Sequence, residues 1–185
     1  IENHVNNLCK GLASKKINVI NIISNRAFKF KRIFKFNYEI ISLPAFFRFF
    51  STAINIFLPI YVLKKVFYDR YNFIHIHHPD PLSHFTVLFL PKRIKIILTW
   101  HCDIHAYKFL YFFYKPLLKN LLKRVDHIIV ATPKHISSSD ILNNIEYKHK
   151  ISIIPYSIDV KYFNNKIFHK PAKLIKDRFK NKIII

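Results

Sequence analysis

Residues 96–103 read I-I-L-T-W-H-C-D, and the fold turns on how that stretch is read. The apolar run Ile94 to Leu98 has the length and β-branched content of a buried strand. It stops abruptly in Thr99, Trp100, His101, Cys102 and Asp103, which are polar or reactive. Three other apolar runs stop in a similar way. Phe73–Ile76 runs into His77, His78, Pro79 and Asp80. Ile128–Ala131 runs into Thr132, Pro133 and Lys134, and Ile151–Ile154 into Pro155, Tyr156, Ser157, Ile158 and Asp159. Helical patterns lie between them, near 81–90, 107–124 and 133–143. Strands alternating with helices argue for βαβ units and a parallel sheet. In such sheets ligands bind beyond the carboxyl ends of the strands. All four polar ends then share one rim, and the function is expected there.

Upstream, residues 2–14 place Val5, Leu8, Cys9 and Leu12 at helical spacing, and 17–24 read as a strand. From Ala27 to Phe36 the phenylalanines Phe28, Phe30, Phe34 and Phe36 share one parity and Lys29, Lys31 and Lys35 the other. This is a strand pattern with a basic face, expected to be half-buried, and 38–43 continues or pairs with it. Such basic-aromatic interleaving also suits single-stranded nucleic acid. Residues 45–68 are the most apolar segment. Arg48, Ser51, Thr52, Asn55 and Pro59 recur there at steps of three and four. A polar stripe of this kind fits a packed amphipathic helix, kinked or divided at Pro59, better than a membrane span.

The totals narrow the chemistry. The 185 residues suit one domain, and 51% hydrophobic content allows a sizeable core. The chain starts at Ile1 and stops within an apolar run, so it reads as a piece of a longer protein. Gly11 is the one glycine. A Walker loop or a G-x-G-x-x-G turn needs several, so neither lies in this sequence. Lys and Arg number 31 against 10 Asp and Glu, a net +21. Such an excess suits an anionic partner, although an AT-rich genome favours the same codons. Cys9 and Cys102 form no disulfide framework and no secretory signal is visible, so a reducing cytosol fits.

The sharpest candidates for chemistry are His77, His78 and His101, at the ends of successive strands, where imidazoles can hydrogen-bond and titrate near neutrality. A metal reading draws on His75, His77, His78 and Asp80 with His101, Cys102, Asp103 and His105. No third cluster with metal spacing accompanies them. The serines 137–139 lack the flanking glycines of a nucleophile elbow. The helix near 107–124, interrupted by Pro116, carries Lys108, Lys115, Lys119 and Lys123 on about one side, as a membrane-interface helix or an ordinary solvated face would.

With these residues in view, the chain resembles the N-terminal domain of group 1, family four glycosyltransferases. I-E-N-H-V-N-N-L-C-K-G-L (1–12) is similar to the helix after that family's Gly-Gly turn. Y-N-F-I-H-I-H-H-P (71–79) resembles "D-x-I-H-x-H", and I-L-T-W-H-C-D-I (97–104) resembles "T-x-H-S-D". Y-K-P-L-L-K-N-L-L-K-R-V-D-H-I-I-V-A-T-P (114–133) resembles "Y-x-P-L…L-x-x-A-D-x-I-I-A-T-S-P". I-S-I-I-P-Y-S-I-D (151–159) resembles "V-x-V-I-P-N-G-I-D". Five motifs in order cover nearly the whole chain. Cys102 stands where serine is usual, Pro133 shortens the pattern after Thr132, and Tyr156 and Ser157 replace Asn-Gly. Ser157 is thereby asked for a conformation that glycine takes more easily.

The resemblance implies an α/β chain: a Rossmann-like parallel sheet flanked by helices, the N-terminal half of a GT-B fold without its first strand and Gly-rich turn. Residues 1–168 would form the acceptor-side domain. Residues 169–185 would form the link and first strand of a donor domain carrying an E-x7-E carboxylate pair. It implies retaining transfer from a nucleotide sugar to a lipid-linked or cell-surface glycan, as in lipopolysaccharide or capsule synthesis, with no metal or other cofactor and no nucleic-acid partner. His101 matches the cleft histidine, and Glu2, Asn3, His78 and Asp103 would face the acceptor. Lys108, Lys115, Lys119 and Lys123 would dock on an anionic membrane, placing the enzyme in the cytoplasm or on the inner membrane face. The fragment alone is expected to be inactive. Two other readings stay open: a metal-dependent hydrolase built on the His77 and His101 clusters, and a basic nucleic-acid-binding module.

Overall fold

The computed structural model describes residues 1–25, 29–49, 52–104, 108–158 and 173–179. Helix α1 (Glu2–Ser14) opens the chain, buries Cys9 and Ala13, and packs with Tyr38. Strand β1 (Ile20–Asn25) follows, then β2 (Lys31–Lys35) and β3 (Tyr38–Pro44). These form one sheet in the order β1-β3-β2, with β1 parallel and β2 antiparallel to β3. The stretch 38–43 thus pairs with β2 rather than continuing it. All five residues of β2 are exposed, so the expected half-buried face is absent. Residues 27 and 28 lie outside the described residues.

The segment 45–68 is not one helix. Strands β4 (Phe47–Phe49) and β5 (Thr52–Ile54) pair as an antiparallel hairpin, and helix α2 (Phe57–Tyr68) begins only afterwards. Aromatic and β-branched residues fill 46–54, and these prefer an extended backbone. Buried Asn55 makes the break. Its Oδ1 accepts from the Phe57 N–H at 3.0 Å and its Nδ2 donates to Ser24 Oγ at 3.3 Å. Pro59 falls in the first turn of α2, where its missing N–H has no intrahelical partner to lose, so it divides nothing.

The second half follows the expected alternation. Strand β6 (Phe73–His78) leads to α3 (Pro81–Val87), β7 (Lys95–Trp100) to α4 (Lys108–Arg124), and β8 (His127–Val130) to two short helices, α5 (Pro133–Ser137) and α6 (Ile145–Lys148), before β9 (Ile151–Ile153). The four strands form a sheet in the order β6-β7-β8-β9, every neighbour parallel. Asp80 starts α3, its side chain accepting the Leu82 N–H at 3.2 Å with Pro81 as first helical residue. The helix expected over 133–143 ends at Ser137. Pro116 sits inside an otherwise continuous α4. Residues 173–178 are helical, and 182–185, where a first donor-domain strand was expected, lie outside the described residues.

Strand residues alternate between faces, and this decides which side chains meet. One face of the sheet carries Ile76, Ile96, Leu98, Trp100, Ile128 and Val130, all buried with Val87, Leu118, Leu121, Leu122 and Val125 in the main core. The other carries His75, His77, Thr99, His127 and Ser152. These hydrogen-bond laterally: His75 Nε2 to Thr99 Oγ1 at 2.7 Å, and His127 Nε2 to Ser152 Oγ at 2.9 Å. The helix ends are tied down as well. Lys150 Nζ donates to the carbonyls of Leu122, Lys123 and Val125 at 2.9–3.2 Å, and Arg124 donates to those of Pro91 and Ile94.

Candidate functional site

The carboxyl ends of β6, β7 and β9 meet, as a parallel arrangement requires. His77 Nδ1 lies 3.1 Å from His101 Nε2, and His101 Nδ1 lies 2.7 Å from the Tyr156 hydroxyl. The His75 ring stacks on His77 at 4.7 Å, and His77 on His101 at 5.3 Å. The chain end of α1 closes the group. His4 presents its ring edge-on to His77 and His101 at 5.9 and 5.6 Å and lies 4.2 Å from the Tyr156 ring. Four imidazoles and a phenol therefore share one volume at the sheet edge.

Packing rings together suppresses charge. Burial, joined by repulsion between neighbouring imidazoles, lowers the pKa of His75 to about 4, His77 to about 3 and His101 to about 4. Burial also lowers His4. At neutral pH the cluster is a set of neutral donors and acceptors. His101 is held at both ring nitrogens, which fixes its plane.

Two shallow cavities flank this edge. One, about 220 Å³, is lined by Trp100, His101, Cys102, Asp103, His135 and Ser138. The other, about 210 Å³, is lined by Asn7, Lys10, Ser157 and Ile158. Asp103 faces the first with its carboxylate anchored, Oδ1 accepting from Trp100 Nε1 at 2.7 Å. His135 Nδ1 is 2.9 Å from Thr132 Oγ1. Burial, reinforced by Asp103, raises the Cys102 thiol, so it stays protonated at neutral pH.

The expected site residues divide accordingly. His101 and Asp103 line a cavity. Glu2 and Asn3 sit in the first turn of α1 with exposed side chains and line neither cavity. His78 was expected at the rim beside His101. Its backbone is there, its carbonyl accepting the His101 N–H at 3.2 Å, but its ring is fully buried on the opposite face. There it stacks on Trp100 at 3.8 Å and on His84 at 5.2 Å. Alternation along β6 sends His77 to the site and His78 to the core. On α4, Lys115, Lys119 and Lys123 share the outward face, and the side chain of Lys108 lies outside the described residues.

Sequence reading missed His4 and Tyr156. His4 had a signal, since it lies one position beyond Asn3 and shares a helical face with Asn7. Tyr156 was read only as a departure at a turn. Ser157 is not among the residues with positive φ, so the turn avoids the glycine-like conformation and leaves Tyr156 free to reach His101. Among the described residues, no three or more His, Cys, Asp or Glu side chains are grouped to hold a metal ion. The ring nitrogens of His77 and His101 hydrogen-bond to each other instead. His105 lies outside the described residues.

A four-stranded parallel sheet with crossover helices and a polar cluster beyond its strand ends defines a Rossmann-like α/β unit. A model of Glycosyltransferase Family 4 matches residues 1–162, and the chain belongs to that family. The O-antigen chain mannosyltransferase C of Escherichia coli is 30% identical over 104 residues, 55% of this chain and 28% of that protein. The D-rhamnosyltransferase WbpZ of Pseudomonas aeruginosa is 31% identical over 83 residues, 45% of this chain and 21% of that protein. The matched region thus spans under a third of either relative.

Proposed function

We propose that this chain is the acceptor-side half of a two-domain GT-B enzyme. That enzyme transfers a sugar from a nucleotide-sugar donor, with retention of configuration, to a lipid-linked or cell-surface glycan at the cytoplasmic face of the membrane. The observation that carries the reading is His101, oriented at both nitrogens beside a polar cavity at the carboxyl edge of a parallel sheet. A hydroxyl of the sugar or acceptor takes the place of His77 on Nε2 while Tyr156 holds Nδ1. A neutral, prealigned imidazole needs no reorganisation as charge develops. The leaving phosphate takes the acceptor proton, so His101 positions and polarises rather than serving as an obligatory base. Asp103, which lines the same cavity as His101, contacts the acceptor, and no metal is needed.

Family membership and the mannosyl and rhamnosyl relatives support hexose or deoxyhexose transfer into a surface glycan. Peripheral attachment through Lys115, Lys119 and Lys123 agrees with their shared outward face. Among the described residues no helix is long and apolar enough to cross a membrane. The test is transfer by the full-length protein from nucleotide-activated mannose and D-rhamnose to a lipid-linked glycan, with chelator added to check metal independence. His101→Ala is expected to lower kcat/KM by about 100-fold, as loss of one oriented donor does. Undiminished transfer by that variant rejects the site assignment.

A further inference from the structure

The β2–β3 hairpin is built against the usual rule for a sheet edge. In the order β1-β3-β2, strand β2 has an edge without a partner among the described residues. Lysines on such an edge are ordinary protection against pairing with another chain. Here they alternate with large apolar groups that lie open. Phe30 is 54% exposed, Ile33 46%, Phe34 75% and Phe36 51%. Exposed Lys29, Lys31 and Lys35 separate them, and Arg32 pairs with Glu39. Ile33 and Phe34 lie on opposite faces of the strand, so open apolar groups flank both sides of this edge.

The tip adds an independent observation. Lys35 pairs with Tyr38, so Phe36 and Asn37 form a two-residue turn, with φ of 53° and 61°. Both angles are left-handed, as in the type I′ turn, where Asn and Gly are favoured and a bulky aromatic is strained. Asn37 suits its position and Phe36 does not. The Phe36 ring stays outside, with Lys10 Nζ 4.2 Å and Lys35 Nζ 4.9 Å from its centroid. The two lysines hold the ring at the tip, yet about half of it stays open to solvent. An aromatic tip flanked by two ammonium groups suits the headgroup region of an anionic bilayer in shape and sign. Its phosphates meet the lysines, and its acyl boundary takes the phenylalanines.

We propose that this hairpin, residues 29–37, is an interfacial membrane anchor, inserting Phe34 and Phe36 among anionic lipid headgroups. The proposal rests on the peripheral-membrane part of the proposed function and assigns the contact to the hairpin rather than to the lysines of α4. The test is co-sedimentation of the full-length protein with phosphatidylcholine vesicles, with and without phosphatidylglycerol. Wild type is expected to bind the anionic vesicles and to lose binding in high salt. Phe34→Ser with Phe36→Asn lowers the partition coefficient about tenfold or more, the loss expected when buried aromatic area is removed. The Asn suits the positive φ, so the turn is retained. Phe34→Trp gives an emission blue shift on anionic vesicles alone, read against the buried Trp100.

If the double variant binds like wild type while Lys115→Glu/Lys119→Glu/Lys123→Glu abolishes binding, the hairpin proposal fails and peripheral attachment stands. No binding of wild type to any vesicle removes both. Unchanged lipid binding with loss of a dimer, or of oligonucleotide binding, gives the hairpin to a second copy or to nucleic acid and also overturns it.

Discussion

Lowering the pH from about 7.5 to about 5.5 should remove most of this domain's stability, and four histidines, two fully buried and two part-buried, set the size of the loss. His75, His77, His78 and His84 have pKa values lowered from 6.5 to about 4, 3, 2 and 3, in each case chiefly by burial. A depressed folded pKa means that the unfolded chain binds protons first. Stability is therefore whole above the unfolded value of 6.5 and falls as the pH drops toward the folded values. At about pH 5.5 the unfolded imidazoles are roughly nine-tenths protonated and the folded ones remain neutral, a loss of about 1.3 kcal/mol per residue. The four together lose about 5 kcal/mol, comparable to the whole stability of many domains. His101 is left out because solvent screens its partly open ring. The assay is denaturant unfolding of the full-length protein across that range. His78→Phe keeps a flat ring between Trp100 and His84 and should flatten the slope by about one proton's worth. A stability that does not change between about pH 7 and 5, or NMR titration of these rings near 6.5 in the folded protein, would show that the four rings are not held neutral by the fold.

Three further outcomes are expected. Tyr156→Phe frees His101 Nδ1 and should lower kcat/KM about tenfold. Combined with His101→Ala it should add little, because the two residues act as one unit; full additivity in steady-state kinetics would count against the pairing. Lys150→Met removes three hydrogen bonds to the carbonyls of Leu122, Lys123 and Val125, and a loss of about 1–2 kcal/mol is expected in the denaturation midpoint. Leu98→Ala opens a cavity at a fully buried position in the middle of the parallel sheet and should cost about 3–4 kcal/mol by the same measurement.

Much of the second half was legible because its signals are local. The runs around Ile76, Leu98, Ile128 and Ile151 are β-branched, short and bounded by polar ends, and each proved to be a parallel strand. The basic stripe of α4 also followed from spacing alone. Two misreadings came from apolar sequence that two structures can share. Residues 45–68 carry a helical polar stripe, and only the pairing of β4 with β5 and the seat of Asn55 against Ser24 decide the hairpin. The alternation around β2 was read as a buried face. Whether a strand is covered depends on which elements lie over it, and among the described residues all five positions of β2 stay exposed.

Period, composition and motif order along the chain were enough to give the class of sheet, the rim where its polar strand ends gather and the family. They did not settle which of two adjacent histidines joins the imidazole cluster at the strand ends. His77 and His78 are equivalent in the sequence, and a parity fixed by the register of β6 on β7 sends one to the imidazole cluster and the other to the core. Nor did they bring His4 and Tyr156, 152 positions apart in the numbering, to the same ring. Contacts of that range exist only once the strands have paired and α1 has docked, because no local backbone preference carries information between such distant residues.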